Sequence, residues 1–370
     1  MKRVIVSVTN DLVTDQRVHK ICTTLSQNNY EIILIGRQFS NSKKLERKYK
    51  TYRFKLLFNK GPFFYAEYNI RLFFKILSSK PSILLANDLD TLLANFLASK
   101  ILRKKLVYDS HELFTEVPEL IHRPLIQNIW LNIEKFIVPK LKNMYTVNEE
   151  IASIYKKKYG IHVNVIRNIA TKLNSNIPST EFIKKIKGTK KMLILQGSGI
   201  NIDRGAEEAL EMMQYVENAI LYIIGSGDVF NLLKEKRKLL NIEDKVIILD
   251  RMPYKKLLDY TKVADLGLSL DKNTNLNYEY SLPNKIFDYI QCNTPILASS
   301  RKLVSKLITK HNIGKVTTTH NPKKLAKIVN EILDNKKEYE TWKMNLKKTA
   351  EIYNWENESK KLIEIYSNLN

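Results

Sequence analysis

Short aliphatic runs alternate with amphipathic helical patterns along almost the whole chain, and this alternation most constrains the fold. A β-branched run at Lys2 to Val8 is followed by a polar loop and by apolar residues at helical spacing from Asp15 to Gln27. The same order returns with a strand at Met192 to Leu195, a helix at about Ala206 to Val216 and a strand at Ala219 to Ile224. Strands that alternate with helices pair in parallel, so the sequence predicts an α/β protein with two Rossmann-like parallel-sheet domains.

A break in this pattern marks the domain boundary. Between Thr171 and Lys190, proline, glycine and small polar residues interrupt every period. We therefore predict four segments: an N-terminal domain at 1–170, a linker at 171–190, a C-terminal domain at 191–352, and a final helix at 353–370 that packs back on the first domain.

The composition is that of a folded protein without a membrane span. Of 370 residues, 44% are hydrophobic and 27% charged, which excludes disorder over most of the length. Charged residues interrupt the most apolar region, Phe54 to Leu77, and the N-terminal apolar run is too short for a secretory signal. Cys22 and Cys292 are too few for a disulfide framework and have no C-x-x-C partner. We predict a cytoplasmic protein.

The net charge of +23 points to an anionic partner. Nucleic acid, an acidic membrane surface and phosphorylated substrates would all be attracted by such an excess. A lysine-rich composition spread over solvated faces is the alternative explanation. The chain has no recognisable nucleic-acid-reading motif, so we expect no nucleic acid partner and keep a basic nucleic-acid-binding protein as an alternative function.

Two predicted strands of the first half run directly into acidic loops, Asn87–Asp90 and Asp109–Glu112. Ligands of open parallel sheets bind at the carboxyl ends of the strands. These loops are therefore candidate site segments.

A glycine-containing loop, Gly197–Gly205, lies between a strand and a helix in the second half. Gly197 and Gly199 permit close backbone approach, and Arg204 adds a cation suited to phosphate oxygens. A plain turn with an exposed arginine is the alternative, because the loop completes neither the dinucleotide nor the P-loop spacing.

The stretch from Tyr280 to Pro295 is the most specific in the chain. A turn at Pro283 begins a helix whose N-terminal amides, with Lys285, suit a phosphate, while Asp288 lies one turn onward and can accept bonds from ribose hydroxyls. An ordinary capped helix is the alternative.

The order and spacing of several segments resemble the retaining glycosyltransferases of family 4, which have the GT-B architecture of two Rossmann-like domains facing a cleft. The segments are Asp15–Val18, Asp109–Phe114, Thr146–Glu149, Gln196–Gly197 with Arg204–Gly205, and Leu282–Tyr289. The resemblance covers nearly the whole chain.

This resemblance implies roles for individual residues. Asp288 stands at the second glutamate of the family's Glu-x7-Glu motif, which holds the nucleotide ribose, and Tyr280 replaces the first. Arg204 matches the cation that neutralises the donor diphosphate, and Asp203 stands where the family often has a second cation. We expect Lys285 to supply that second charge.

The resemblance further implies the partners of each half. His111 would face the donor sugar, and the catalytic group would be His111, Arg204 and Lys285. The donor, a UDP- or GDP-sugar, would bind at a set of second-half residues: Gly197, Gly199, Arg204, Asn284, Lys285 and Asp288. The acceptor, an envelope glycan or a lipid-linked sugar of polysaccharide biosynthesis, would lie near Asp11, Asn87, Asp88 and Glu112.

The implied reaction is sugar transfer with retention and without a metal or other cofactor. Asp88-Leu89-Asp90 has the pattern of a divalent-ion site but lies in the acceptor half, so we expect no metal there. The helix with Phe73 and Phe74 and its basic neighbours are suited to the inner face of an anionic cell membrane. The alternative, which the sequence favours, is that this aromatic stripe is core.

Two other functions stay open. A nucleotide-sugar epimerase of the same architecture would use a similar diphosphate site. A scaffold that has lost activity is the other, because Tyr280 and Asp203 depart from the family pattern.

Overall fold

The computed structural model describes residues 1–13, 15–40, 42–173 and 178–369. The chain divides into two compact units, Met1–Asn168 together with the segment from Glu358 on, and Ile169–Asn357. Each unit has its own parallel sheet.

In the described part of the first unit, seven strands form one sheet in the order β3-β2-β1-β4-β5-β6-β7. The strands are β1 (Lys2–Asp11), β2 (Tyr30–Gln38), β3 (Lys50–Lys55), β4 (Ile83–Asn87), β5 (Lys105–Ser110), β6 (Asn143–Thr146) and β7 (Asn164–Val165). All neighbours pair in parallel, and every residue of β4 is buried, as expected for a central strand covered on both faces.

Helices connect these strands. They are α1 (Gln16–Gln27), α2 (Gly61–Ser78), α3 (Leu89–Leu102), α4 (Pro118–Ile121), α5 (Pro124–Ile137) and α6 (Glu149–Tyr159). Asp15 caps α1 by accepting from the Val18 amide, and Asn148 caps α6 by accepting from the Ile151 amide. These caps are polar side chains of two segments that carry the family resemblance.

Six strands form the sheet of the second unit as described, in the order β10-β9-β8-β11-β12-β13. They are β8 (Lys191–Gly197), β9 (Ala219–Gly225), β10 (Val246–Asp250), β11 (Leu266–Ser269), β12 (Ile296–Ser299) and β13 (Gly314–Thr317). The strand order reverses between β8 and β11, which is the position where ligands of such sheets bind.

The helices of the second unit flank this sheet. They are α7 (Thr180–Lys187), α8 (Ala206–Met212), α9 (Phe230–Leu239), α10 (Tyr254–Val263), α11 (Leu276–Glu279), α12 (Asn284–Gln291), α13 (Lys302–His311), α14 (Pro322–Asp334) and α15 (Lys336–Ile352). Aliphatic and aromatic side chains from both faces of the sheet form two buried clusters with these helices.

Sequence reasoning misjudged two helices. Residues 180–187 of the predicted linker form α7, whose Ile186 is buried in the core of the second unit. In α2, the buried face was assigned to the wrong side chains. It is formed by Phe64, Tyr68, Leu72 and Ile76.

The aromatic pair Phe73–Phe74 lies off that buried face. Phe74 is 64% exposed and Phe73 is half-buried, so the expectation that this stripe is core is wrong for Phe74. The helix begins at Gly61, because Pro62 fits the first turn of a helix.

The last helix, α16 (Trp355–Ser367), belongs to the first unit from Glu358 on. Glu358 accepts from the Arg167 amide at 2.9 Å and from its guanidinium at 3.0 Å. Tyr30 donates to the Tyr366 carbonyl at 3.1 Å.

Within the described ranges, no helix has both the length and the apolar character needed to cross a membrane.

Candidate functional site

Four charged residues meet at the carboxyl edge of the second sheet, and we call them the cation cluster: Arg204, Asp271, Lys285 and Arg301. Asp271 follows β11 by two residues, and Arg301 follows β12 by two residues. Arg204 ends the loop after β8, and Lys285 is the second residue of α12. Loops after neighbouring parallel strands therefore bring together residues far apart in sequence.

The buried carboxylate of Asp271 is the centre of this cluster. Arg204 Nη1 donates to its Oδ1 at 3.0 Å, and Lys285 Nζ lies 3.3 Å from its Oδ2. Arg301 Nη2 lies 3.9 Å from Oδ2, and the Ser269 hydroxyl donates to Oδ2 at 3.0 Å. In the part of the chain that the structure describes, three cations thus surround one carboxylate.

Burial and charge act in opposite directions on these groups. Burial alone would raise the pKa of Asp271, but Lys285, Arg301 and Arg204 outweigh burial and hold the pKa far below its usual range. Burial lowers the pKa of Lys285, an effect that Asp271 opposes. The carboxylate therefore stays ionised at every physiological pH, and the surplus positive charge around it favours an anion.

Asp288, which the sequence predicted with Lys285 on α12, lies in a polar network beside the cation cluster. Gln196 Nε2 donates to Asp288 Oδ2 at 2.9 Å, and the Tyr254 hydroxyl donates to Oδ1 at 2.6 Å. Thr261 donates to Gln196 Oε1 at 2.7 Å, which fixes the orientation of the Gln196 amide. Asn284, the first residue of α12, is exposed.

The loop after β8 adopts a conformation that its glycine requires. Gly205 has φ +74°, and a β-carbon there would come within 2.3 Å of the Leu270 carbonyl oxygen. This close approach places the loop against Leu270, the residue before Asp271. Gly199 is exposed and Gly197 is partly exposed.

The first turn of α8, which follows this loop, is acidic. It carries Glu207 and Glu208, and Lys272 Nζ lies 2.6 Å from Glu208 Oε1 and 3.6 Å from Asp203 Oδ1. The start of this helix therefore carries negative side chains of its own. The cationic character of the loop therefore comes from Arg204 alone among its residues.

A second polar group lies at the carboxyl edge of the first sheet, and we call it the histidine cluster: Arg17, Asn87, Asp88, Asp109 and His111. The ring Nδ1 of His111 lies 3.0 Å from Asp88 Oδ2, and its Nε2 lies 3.1 Å from Asp109 Oδ2 and 3.3 Å from Asn87 Oδ1. The His111 amide donates to Asp88 Oδ1 at 2.8 Å.

Carboxylates on both ring nitrogens favour the imidazolium form. Burial would lower the pKa of His111, but Asp88 and Asp109 outweigh burial and raise it well above its ordinary value. Arg17 supports Asp109 with two bonds, Nε to Oδ2 at 2.9 Å and Nη2 to Oδ1 at 2.6 Å. His111 is therefore held in orientation as a cation.

The other carboxylate of the Asp-x-Asp motif behaves differently. Asp90 accepts from the Thr9 hydroxyl at 2.5 Å through Oδ2, and its buried Oδ1 has no hydrogen-bond partner within the described residues. Burial, reinforced by Asp88, raises the pKa of Asp90 to about 7.

Two residues predicted on the acceptor side, Asp11 and Glu112, make contacts of their own. Asp11 Oδ1 accepts from the Val13 amide at 3.2 Å and lies 3.7 Å from Arg53 Nη1. The Glu112 carbonyl accepts from the Ser110 hydroxyl at 2.8 Å. The structure thus brings Asn87, Asp88 and His111 together.

Within the described residues, no group of three or more metal-ligating side chains could hold a metal ion.

Two protein-family models match the chain, one in each half. The model of Glycosyltransferase Family 4 matches residues 15–170, and the model of Glycosyl transferases group 1 matches residues 178–349. Together they cover most of the chain. This chain is a family 4 glycosyltransferase.

Solved structures of similar proteins have the same fold over the full length of the glycosyltransferase. Sucrose-phosphate synthase from Thermosynechococcus elongatus is 14% identical with a TM-score of 0.83, covering 100% of this chain and 99% of that one. HepE from Anabaena, in complex with UDP-glucose, is 15% identical with a TM-score of 0.77, covering 100% of both chains.

A glycosyltransferase from Rickettsia africae is 14% identical with a TM-score of 0.78, covering 100% of this chain and 98% of that one. With the two parallel sheets, these likenesses show the GT-B fold. No curated protein matches the sequence.

Sequence reasoning missed two members of the cation cluster, Asp271 and Arg301. Asp271 follows β11 and Arg301 follows β12 by two residues, and both strands are short apolar runs in the sequence. Neither belongs to a motif, and a charged residue after a strand is too common to single out. The roles predicted for Arg204, Lys285, Asp288 and His111 stay predictions.

Proposed function

We propose that this glycosyltransferase transfers a sugar from a nucleoside diphosphate donor that binds the second unit. The cation cluster carries the proposal. Three cations converge on one buried carboxylate at the position where the strand order reverses, and a donor diphosphate needs such a charge environment.

The proposed roles follow from position and charge. Arg204 and Lys285 stabilise the negative charge that develops on the departing diphosphate as the bond from the sugar to phosphate breaks. Gly197, Gly199 and the exposed Asn284 at the start of α12 offer close backbone approach to the phosphates. Asp288, oriented by Gln196 and Tyr254, accepts from ribose hydroxyls.

In this proposal the cations of the cluster carry out charge stabilisation, and the reaction uses neither a metal nor another cofactor. UDP- and GDP-sugars are the proposed donors. HepE, which has this fold and was solved with UDP-glucose, supports a nucleotide-sugar partner.

Nucleotide binding tests the proposal directly. We expect UDP or GDP to raise the melting temperature, because a ligand bound by the folded state alone stabilises that state. Arg204→Ala should remove the shift, since it removes one charge from the cluster. Arg237→Ala, which changes an arginine of α9 that donates to the Val246 carbonyl at 3.1 Å, serves as the charge control. A full shift in Arg204→Ala would contradict the assignment.

We further propose that the acceptor, an envelope glycan or a lipid-linked sugar, binds at the carboxyl edge of the first sheet near Asp11, Asn87, Asp88 and Glu112. There His111 would face the reacting sugar as a fixed cation. Transfer with retention is part of the proposal, and the anomeric proton of the product reports it by NMR. Donor turnover without any acceptor would favour an epimerase instead.

Contact with an anionic membrane fits the outer face of α2. Phe63, Ile70 and Phe74 share one side of this helix and are 69%, 59% and 64% exposed. Arg71 and Lys75 lie on adjacent turns. Apolar side chains flanked by cations are suited to an acidic lipid surface, where the enzyme would reach a lipid-linked acceptor at the inner face of the cell membrane.

Sedimentation with vesicles of phosphatidylglycerol and phosphatidylcholine tests this contact. We expect binding at low salt that weakens at high salt. Ile70→Ser with Phe74→Ser should abolish it, while Leu239→Ser, at a residue that is 80% exposed in the second unit, should leave it unchanged. Absence of binding at low salt would contradict the membrane proposal.

A further inference from the structure

Arg301 is the most deeply buried cation of the cation cluster. Its residue is 1% exposed, and Nη1 donates to the Tyr278 carbonyl at 2.6 Å and to the Ser281 hydroxyl at 3.1 Å. Its Nη2 lies 3.9 Å from Asp271 Oδ2. One guanidinium thus contacts both the central carboxylate and the segment between α11 and α12.

That segment leads to both of the other cations. The Arg204 guanidinium stacks on the Tyr278 ring at 4.1 Å from its centroid, so the position of Tyr278 determines one wall of the Arg204 site. Ser281 precedes the Pro283 turn that begins α12, where Lys285 lies. Arg301 therefore bonds to the backbone that orients Arg204 on one side and Lys285 on the other.

The remaining donors of Arg301 point to an anion. Its buried Nε and Nη2 have no hydrogen-bond partner among the described residues. Glu279 lies near enough to act on Arg301 by charge, as Asp271 does, while Arg204 repels it. A buried guanidinium with unused donors lowers the stability of the fold, so its presence is explained if its charge binds an anion.

We propose that Arg301 is a positioning residue for the diphosphate site, a role that rests on the proposed function. Its Nη1 holds Tyr278 and Ser281 while its Nη2 faces Asp271, and its charge completes a three-cation site with Arg204 and Lys285. The third cation makes up for Asp203, which stands where a basic residue is common in the family. The ligand class is a diphosphate group, whatever the base or sugar attached to it.

The test measures binding of inorganic pyrophosphate, UDP and GDP by calorimetry and by the shift in melting temperature. Each shift is taken relative to the variant's own unliganded melting temperature, which separates binding from stability. Arg301→Gln should weaken binding about tenfold or more, since it removes a charge and its charge-assisted bonds. Arg301→Lys should recover only part of this loss, because an ammonium cannot reproduce the fork.

Two matched variants accompany these. Ser281→Ala removes one contact of the fork and should weaken binding by only about threefold. Arg237→Gln removes another arginine of the second unit that donates to a backbone carbonyl, that of Val246 at 3.1 Å. It lies outside the cluster and should bind pyrophosphate as the wild type does.

The outcomes separate the two proposals. Wild-type protein that binds none of the three probes overturns the proposed function. Wild-type binding that Arg204→Ala abolishes and Arg301→Gln leaves intact overturns the role of Arg301 alone. Full recovery in Arg301→Lys, or an equal loss in Arg237→Gln, also overturns it, the first because charge would suffice without the fork and the second because the effect would not be local.

Discussion

The carboxyl edges of the two sheets have the same topology and opposite charge arrangements. At the edge of the first sheet, His111 lies between two carboxylates, Asp88 and Asp109. At the edge of the second, the carboxylate of Asp271 lies among three cations. The parallel sheet therefore determines where polar loops meet, and the few residues after each strand determine the sign of the charge that collects there.

Both arrangements keep their charges fixed near neutral pH. Neighbouring cations hold the pKa of Asp271 far below neutrality, and neighbouring carboxylates raise that of His111 well above its ordinary value. The following predictions test this contrast, beginning with the largest effect.

Asp271→Asn should lower the free energy of unfolding by about 3–5 kcal/mol, because it leaves the buried Arg301 and the partly buried Arg204 and Lys285 without their common counter-ion. Urea denaturation at pH 7 measures this. Asp250→Asn, at an exposed ion pair with Lys234, should change it by less than about 0.5 kcal/mol. Equal effects would mean that Asp271 is not the organising charge of the cluster.

Asp90→Asn should sharpen the contrast within the first unit. Asp90 has a folded-state pKa of about 7, above the unfolded value, so the folded state binds the extra proton and wild-type stability falls as the pH rises from about 5 to 7. The asparagine cannot ionise. Between pH 5 and pH 7, the free energy of unfolding of the wild type should therefore fall by about 2 kcal/mol relative to that of the variant. Urea denaturation at the two pH values measures this change. A constant difference between the two proteins would contradict the raised pKa.

His111→Asn should remove about 1.5–2 kcal/mol of stability at pH 6, the lower part of the range for hydrogen bonds to charged groups. The pKa of His111 is raised in the folded state. The protonated ring therefore stabilises the fold fully at a pH below the unfolded pKa, and this stabilisation is lost as the pH rises through the folded pKa. The difference between wild type and variant should shrink at high pH. A pH-independent difference would indicate that the ring acts by packing and not by charge.

Tyr254→Phe should have the smallest effect, a loss of about 1 kcal/mol from the bond to Asp288. Calorimetry with UDP or GDP would show whether this bond also orients Asp288 for a ribose. Tyr215→Phe, at a similarly exposed tyrosine of the same unit, is the control. If Tyr254→Phe stabilised the protein, Asp288 would not depend on that hydroxyl.

Sequence reasoning predicted the two-sheet fold because each parallel strand is a short apolar run followed by a polar loop. Asp15 and Asn148, singled out by family resemblance, prove to cap helices, and Arg17 is the buried partner of Asp109. The start of α12 after Pro283 was also predicted correctly.

The rest depends on contacts between residues distant in sequence. No local pattern links Arg204 to Asp271 or Arg301, since only the pairing of β8, β11 and β12 makes their loops neighbours. The linker prediction missed α7 because a helix of eight residues offers only a few apolar positions, and tertiary burial of Ile186 stabilises it.

The return of α16 to the first unit has a consequence for synthesis on the ribosome. Arg167, Tyr30 and Lys105 of the first unit bond to Glu358, Tyr366 and Leu369, which lie at the end of the chain. The first unit therefore lacks its last segment until the whole of the second unit has been translated. A nascent chain stalled before Glu358 should expose its opening sheet to chaperones although all seven strands have already been made.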